Sequence, residues 1–102
     1  MTFYGLITLR PKDRKERKNV KNIIETKYQG KVIPVPRSLR KEAADECPSC
    51  FKSSLNRPNL VWLVEFPSYK EYESLLIKYE SPINGIHPIS KEPPEFLSKI
   101  RS

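Results

Sequence analysis

Apolar positions in this chain alternate between the spacing of strands and the spacing of helices. The clearest example lies at residues 60–79, where LVWLVEF predicts a strand buried on both faces and PSYKEYESLLIKY predicts an amphipathic helix. Ser68 precedes Glu71 by three residues, which is the spacing of a capping box. In that motif the two side chains satisfy free N–H groups at the start of a helix. The segment therefore predicts strand, tight turn and helix in direct succession.

A similar succession opens the chain. Residues 3–9, FYGLITL, predict a strand, and Asp13 with Glu16 repeats the capping spacing just after it. The helix that follows carries its apolar residues on one face, at Val20, Ile23, Ile24 and Tyr28. We expect it to end at Gly30, because glycine tolerates the positive φ that often closes a helix.

Two further strand candidates contain prolines, at residues 31–36 and 86–89. Because proline cannot donate a hydrogen bond to a sheet ladder, both segments should lie at sheet edges. Each is followed by a short helix candidate, at residues 38–46 and 93–100. Asn84-Gly85 precedes the second of these strands, as Gly30 precedes the first.

The two halves of the chain, residues 1–50 and 51–102, therefore share one plan with little identity between them. We predict a single α+β domain built as a ferredoxin-like sandwich of two βαβ half-repeats. It would have a four-stranded antiparallel sheet with two helices on one face. The predicted strand order is 4-1-3-2, which places the apolar strands in the centre and the prolines at the edges.

In this topology the outer face of the sheet has no helix to cover it. Strand alternation directs four side chains to that face, Tyr4, Leu6, Val61 and Leu63. Leaving them in water forfeits roughly 1.5 to 3 kcal/mol for each aliphatic one. We expect a cover, which could be the connector at residues 38–59, the tail at residues 93–102, or another chain.

The chain is strongly basic, with a formal net charge of +7 and a pI near 9.5, and this favours acidic partners such as nucleic acid. Five cations are concentrated at the start of the first helix: Lys12, Arg14, Lys15, Arg17 and Lys18. Cations there oppose the helix dipole, so local helix stability does not explain them. They are either a solvated face or a nucleic-acid contact, with Arg10, Arg37, Arg40 and Lys41 as candidate extensions.

Residues with catalytic or metal-binding chemistry are few. Cys47 and Cys50 have CxxC spacing, but His87 is the single further soft ligand and a zinc site needs four. The cysteines are therefore inert or close a loop, or else they are redox-active or share a zinc. No phosphate-binding glycine loop or hydrolase motif occurs, so we predict a protein that is not an enzyme and needs no cofactor or metal. No apolar run could cross a membrane, and we expect a cytoplasmic location.

The third strand, Trp62-Leu63-Val64-Glu65-Phe66, resembles the end of the RNP1 strand of RNA-recognition motifs, a family with the same βαββαβ plan. That resemblance implies the fold. The family stacks bases on aromatic residues at positions that here are Val61 and Leu63, and Asn59 and Leu60 replace its basic residue and glycine. It therefore does not imply base stacking.

The whole chain also resembles small orphan proteins of filamentous viruses that infect hyperthermophilic archaea. The likeness is one of length and composition, with 19 Lys and Arg residues, a single glutamine at Gln29, and helices rich in isoleucine and tyrosine. It implies a host-cell cytoplasm at high temperature and no assignable enzyme activity.

Two functions follow from these features. The first is a protein or peptide interaction module, which would bind a second copy of the chain or another partner. The contact would be made through the apolar sheet face or the groove between the half-repeats. The alternative is nucleic-acid binding through the cations that begin the first helix.

Overall fold

The computed structural model describes residues 2–47, 59–78, 81–90 and 92–101. Within them the chain forms four strands, four α-helices and one 3-10 helix. In order these are β1 (Phe3–Leu9), α1 (Arg14–Lys27), β2 (Lys31–Pro34), the 3-10 helix (Arg37–Leu39), α2 (Arg40–Asp45), β3 (Leu60–Phe66), α3 (Tyr69–Lys78), β4 (Ile83–Pro88) and α4 (Phe96–Arg101). The α+β prediction is confirmed. Half of the predicted connector, residues 48–58, lies outside the described residues.

The four strands form one antiparallel sheet in the order β2-β3-β1-β4. The apolar strands β1 and β3 are central, with Leu6 opposite Leu63. Pro34 lies in the edge strand β2 and Pro88 in the edge strand β4. The predicted strand order and the placement of the prolines at the edges are therefore confirmed.

The end of α1 differs from the prediction in its chemistry. The helix ends at Lys27, and the residue with positive φ is Gln29, at 54°. Gly30 does not have a positive φ, but a Cβ there would lie 2.6 Å from Val64 Cγ1. The glycine is therefore required by the close packing of the chain on β3, and the expectation that it supplies the positive φ was wrong.

The segment Asn84-Gly85, expected to precede the strand, lies inside β4. Leu9 pairs with Ile83 and Thr8 pairs with Gly85, so Asn84 is the extra residue of a β-bulge. Thr8 is fully buried, and its hydroxyl donates to the Asn84 side-chain oxygen at 2.7 Å. A Cβ on Gly85 would lie 2.4 Å from the Thr8 hydroxyl oxygen, which explains the glycine at this position.

The first face of the sheet packs on the two longer helices. Ile7, Trp62 and Phe66 share a buried cluster with Ile24 of α1 and Leu75 of α3. These strand residues are the ones that the alternation predicted to face the helices. The burial is the ordinary consequence of two amphipathic helices laid on a twisted sheet.

The second face, expected to lack helices, is covered by the chain itself. Leu6 and Leu63 share a second buried cluster with Ala43 of α2 and with Phe96 and Leu97 of α4. Helices therefore lie on both sides of the sheet, and the layers number three where the sequence predicted two. The short helices each carry an apolar face, and removing it together with the sheet face from water gains about 25 cal/mol for each Å² of apolar surface.

A carboxylate joins the two helices of this second layer. Glu46 directly follows α2, and its oxygens accept hydrogen bonds from the backbone N–H groups of Glu95 at 2.6 Å and Phe96 at 3.0 Å. These N–H groups begin α4, where a helix cannot satisfy them internally. Lys99 and Glu42 add an ion pair at 3.9 Å between the same two helices.

Candidate functional site

The basic cluster consists of the five predicted cations, Lys12, Arg14, Lys15, Arg17 and Lys18, and every one of them is exposed. The helix begins here because the Asp13 carboxylate accepts a hydrogen bond from the Glu16 N–H at 2.8 Å. The Glu16 carboxylate accepts in turn from the Lys12 N–H at 2.8 Å. This cap holds the first turn, although each cation near the positive end of the helix dipole costs about 0.3 to 1 kcal/mol.

The phase of α1 points part of the cluster directly away from the core. Val20 and Ile24 are its buried residues. Asn22 is two residues from each of them, and two residues turn a helix by about 200°. Asn22 therefore faces away from the sheet. Lys15 and Lys18 precede it by seven and four residues and lie on the same outward face.

The cations of the cluster are not neutralised by ion pairs in the described part of the chain. The ion pair found there joins Lys99 to Glu42 and lies on the other side of the sheet. Asp13 and Glu16 sit within the cluster, but each gives a carboxylate oxygen to the backbone cap. Five cations therefore face two carboxylates at this end of α1.

Two of the candidate extensions lie at the same end of the sheet. β1 ends at Leu9 opposite Leu60, and the exposed Arg10 follows it directly. β2 ends at Pro34 opposite Trp62, and the exposed Arg37 comes three residues later. Topology thus brings both arginines to the end where α1 begins.

The other two extensions belong to the second layer. Arg40 is half-buried, and its guanidinium donates to the Asn59 carbonyl oxygen at 2.8 Å. This bond commits the guanidinium to holding the chain just before β3. Lys41 is exposed on α2. Arg37 begins the 3-10 helix, whose Leu39 also packs in the second layer, so Arg10 is the extension that directly adjoins the start of α1.

A shallow cavity of about 230 Å³ lies between the start of α1 and the start of β3. Its lining comprises Pro11, Asp13, Arg14, Arg17 and Leu60. The Asp13 carboxylate is negative and already caps the helix, so it would repel an anion placed inside. An anionic partner would therefore contact the outer side chains of the cluster and not fill this cavity.

The predicted partner-binding set is not accessible in this structure. Tyr4, Leu6, Val61 and Leu63 are respectively 7%, 0%, 2% and 0% exposed, beneath α2 and α4. The alternation that placed them on the second face is correct, and of the covers that the sequence left open, the connector helix α2 and the tail helix α4 supply this one. The four residues therefore offer no accessible surface to a partner in this structure. Val61 and Leu63 are also the positions where RNA-recognition motifs stack bases, and both are closed to a base here.

Tyr4 makes a specific bond within the second layer. Its hydroxyl donates to a Glu65 carboxylate oxygen at 2.8 Å. Burial, followed by this hydrogen bond, raises the pKa of Tyr4 to about 12. The phenol therefore acts as a buried structural donor.

The cysteine and histidine candidates form no metal site in the described residues, where no three His, Cys, Asp or Glu side chains come together. Cys47 is buried in the second layer and is disulfide-bonded, and Cys50 lies outside the described residues. His87 is half-buried on β4 opposite Leu6, and burial lowers its pKa. A histidine in that setting is neutral near pH 7.

Exposed large apolar side chains in the described residues are confined to α3. Tyr69, Leu76 and Ile77 are 52%, 39% and 77% exposed. Tyr69 and Leu76 share the helical spacing of the apolar residues in this segment, but Tyr72 and Leu75 are the residues that are buried. α3 is therefore only partly covered by the sheet.

Comparisons with known proteins identify no relative. No protein-family model matches the chain, and neither a curated protein nor a solved structure is significantly similar to it. The two resemblances noted from the sequence remain predictions. Among the described helices, none has the length and apolar character needed to span a membrane.

Two features of the structure were not predicted from the sequence. One is the outward asparagine pair on α1, Asn19 and Asn22, which follows Lys15 and Lys18 at helical spacing. The same periodicity that identified Val20 and Ile24 as buried could have found it. The other is the capping of α4 by Glu46, for which the sequence carries no signal because the partners are 49 and 50 residues apart.

Proposed function

We propose that the protein is a non-enzymatic nucleic-acid-binding protein and that the basic cluster is its contact surface. The observation that carries the proposal is the exposure of all five cations, without ion pairs in the described residues, at a helix end where they are locally unfavourable. This arrangement does not stabilise the fold, but it suits the binding of a polyanionic partner.

Phosphate groups are the natural partners of this surface. Lysine and arginine bind phosphate oxygens, and each phosphate that they neutralise releases condensed counterions from the nucleic acid. The net charge of +7 adds long-range attraction that speeds encounter. Arg10 and Arg37 widen the contact at the same end of the sheet.

Protein or peptide binding is the other function expected from the sequence. The sheet surface expected to serve it is buried in this structure. Its four residues are occupied by α2 and α4. The exposed apolar residues of α3 are separate from that face, and no feature of the described structure indicates a particular protein partner for them. Nucleic-acid binding is therefore the better supported proposal.

The proposal extends to the fold and the location. A four-stranded antiparallel sheet in the order β2-β3-β1-β4, with α1 and α3 packed in one cluster, supports a ferredoxin-like sandwich of two half-repeats. α2 and α4 would then be an added third layer. A cytoplasmic location would give the protein access to nucleic acid.

The test is a binding titration with a matched pair of charge variants. Fluorescence anisotropy of a labelled DNA duplex and of a labelled single-stranded RNA is measured with the parent and with Lys15→Ala/Lys18→Ala. The control is Lys70→Ala/Arg101→Ala, which removes the same charge from exposed positions on α3 and α4. Alanine favours helix, so neither variant should unfold.

We expect the cluster variant to bind at least about tenfold more weakly and the control to bind almost as the parent does. Equal losses in both variants would show that net charge and not the cluster governs binding. Failure of the parent to bind either nucleic acid would overturn the proposed function.

A further inference from the structure

We propose that α1 lies in the major groove of duplex DNA, where Asn19 and Asn22 contact base edges while the basic cluster contacts the phosphates. This inference rests on the proposed function and goes beyond it. It assigns a ligand, double-stranded DNA, and a basis for sequence preference. The contact face is defined by four residues at helical spacing, Lys15, Lys18, Asn19 and Asn22.

The fold does not account for the two asparagines. Both lie inside α1, where asparagine is less favourable than alanine because its side chain competes for backbone hydrogen bonds. Both are exposed, and their side-chain amides make no hydrogen bond with any described residue. The bond at Asn22 is made by its backbone carbonyl, which accepts from the Thr26 hydroxyl at 2.7 Å.

The shape of α1 suits a groove. Of its 14 residues, Val20 and Ile24 are the two that are buried, so most of its circumference stands clear of the sheet. A helix with its side chains is about 10–12 Å across, and the major groove of B-form DNA is about 12 Å wide. Asn22 points directly away from the core and would therefore reach deepest.

The chemistry of the face fits base edges flanked by phosphates. An asparagine carboxamide offers a donor and an acceptor together, which matches N6 and N7 of adenine in the major groove. Lys15 and Lys18 lie on the same face, and Arg14 and Lys21 flank it on one side. These long cationic side chains beside short amides would contact the phosphates along one edge of the groove.

Single-stranded ligands and RNA duplexes suit this surface less well. Single strands are bound by stacking bases on aromatic side chains, and the aromatic residue at the end of α1, Tyr28, is buried. Tyr69 is exposed, but it begins α3 at the end of the sheet where β3 finishes, opposite the start of α1. The major groove of an RNA duplex is too deep and narrow for side chains to read.

The test selects binding sites from a pool of DNA duplexes with a randomised centre, followed by affinity measurement on the enriched duplex and on a shuffled duplex of equal composition. The parent is compared with Asn19→Ala/Asn22→Ala and with Ser74→Ala. Ser74 is an exposed polar residue of α3, and its hydroxyl bonds a backbone carbonyl four residues earlier. Thermal unfolding of each variant confirms that it is folded.

We expect the parent and Ser74→Ala to enrich adenine-containing sites and to prefer them over the shuffled duplex by about tenfold or more. The double asparagine variant should bind both duplexes equally, with the affinity that the parent has for the shuffled one. An RNA duplex of the enriched sequence should show no preference.

Three results would overturn the inference. A parent that binds all duplexes equally would retain the proposed function but lose the base contacts. A sequence preference that survives in the double asparagine variant would place recognition elsewhere on the chain. Absence of any DNA binding by the parent would end both proposals.

Discussion

Leu63 is a residue whose burial depends directly on the third layer, which α2 and α4 form. It lies on central strand β3 and is 0% exposed beneath α2 and α4. Leu63→Lys would bury a charge without a partner, so we expect the free energy of unfolding to fall by about 3 kcal/mol or more. Trp62→Ala removes a large buried side chain from the first face and should lower the free energy of unfolding by about 3–5 kcal/mol. Urea denaturation followed by circular dichroism measures both.

An exposed position provides the control for this substitution. Ile77 is 77% exposed on α3, so Ile77→Lys should change the stability by no more than about 0.5 kcal/mol. Should Leu63→Lys prove as harmless as Ile77→Lys, the second face would be open in solution, and the apolar interaction surface expected from the sequence would regain its basis.

Tyr4 gives the fold a dependence on alkaline pH. The pKa of Tyr4 is raised to about 12 by burial and by Glu65, and burial raises the pKa of Tyr72 to about 12. An unfolded tyrosine has a pKa of about 10, so between these values the unfolded chain has released protons that the folded chain retains. Stability should therefore fall as the pH rises from about 10 to about 12.

Tyr4→Phe removes one of these two groups. At neutral pH it should cost about 1 kcal/mol for the lost hydrogen bond to Glu65, and above pH 10 its stability should decline less steeply than that of the parent. Denaturant midpoints at several pH values give the comparison. Parallel pH curves for parent and variant would show that Tyr4 does not titrate as its burial requires.

The end of α1 shows what the sequence could and could not predict at the level of single residues. The helix itself, its Asp13 cap and the approximate end were predictable from local patterns. The roles of Gln29 and Gly30 were not, because the need for glycine arises from Val64 on a strand far along the chain. Local rules assign a positive φ to the glycine, and tertiary packing decided otherwise.

A pair of substitutions tests this assignment. Gln29→Gly should stabilise the protein by about 0.5–1 kcal/mol, since glycine occupies positive φ without strain. Gly30→Ala should destabilise it by about 1–3 kcal/mol, because its Cβ would press on Val64. Thermal unfolding measures both, and a stabilised Gly30→Ala would refute the packing explanation.

The helices and strands were easier to predict from the sequence than the surfaces on which they pack. Edge and central strands followed from the prolines and apolar runs, and each of the four α-helices overlaps a predicted helical segment. The packing of α2 and α4 on the second face was not fixed by sequence pattern, because a short apolar stripe does not specify which of several apolar surfaces it meets. The apolar residues facing that surface were nevertheless identified correctly.

Glu46, at the end of α2, holds the start of α4 in the second layer. Glu46→Ala removes both carboxylate bonds to the start of α4, so we expect a loss of about 1–3 kcal/mol in stability. Amide hydrogen exchange in α4 should quicken before exchange in the central strands does.

Glu42→Ala, on α2 itself, is the matched control. Its ion pair with Lys99 is long, at 3.9 Å, and partly exposed, so its loss should cost no more than about 1 kcal/mol. If the two variants show the same exchange in α4, the Glu46 cap does not determine how α4 is held.

At the scale of the whole molecule, charge placement says more than charge total. A net charge of +7 suggested an acidic partner from composition alone, but it could not say where. The structure exposes the basic cluster on α1 and adds Arg10 and Arg37 at the same end of the sheet. It also removes the competing surface by burying it. The fold therefore adds most to the choice of candidate site, because it shows which of the two predicted surfaces is exposed.

The salt dependence of binding to a DNA duplex tests whether the basic cluster contacts phosphates. The logarithm of the association constant falls linearly with the logarithm of salt concentration, with a slope of about −0.9 for each phosphate neutralised. If the basic cluster of Lys12, Arg14, Lys15, Arg17 and Lys18 forms the contact, the slope should be about −4 to −5. It should become shallower by about 2 in Lys15→Ala/Lys18→Ala. A slope near zero, or one unchanged in that variant, would contradict the account.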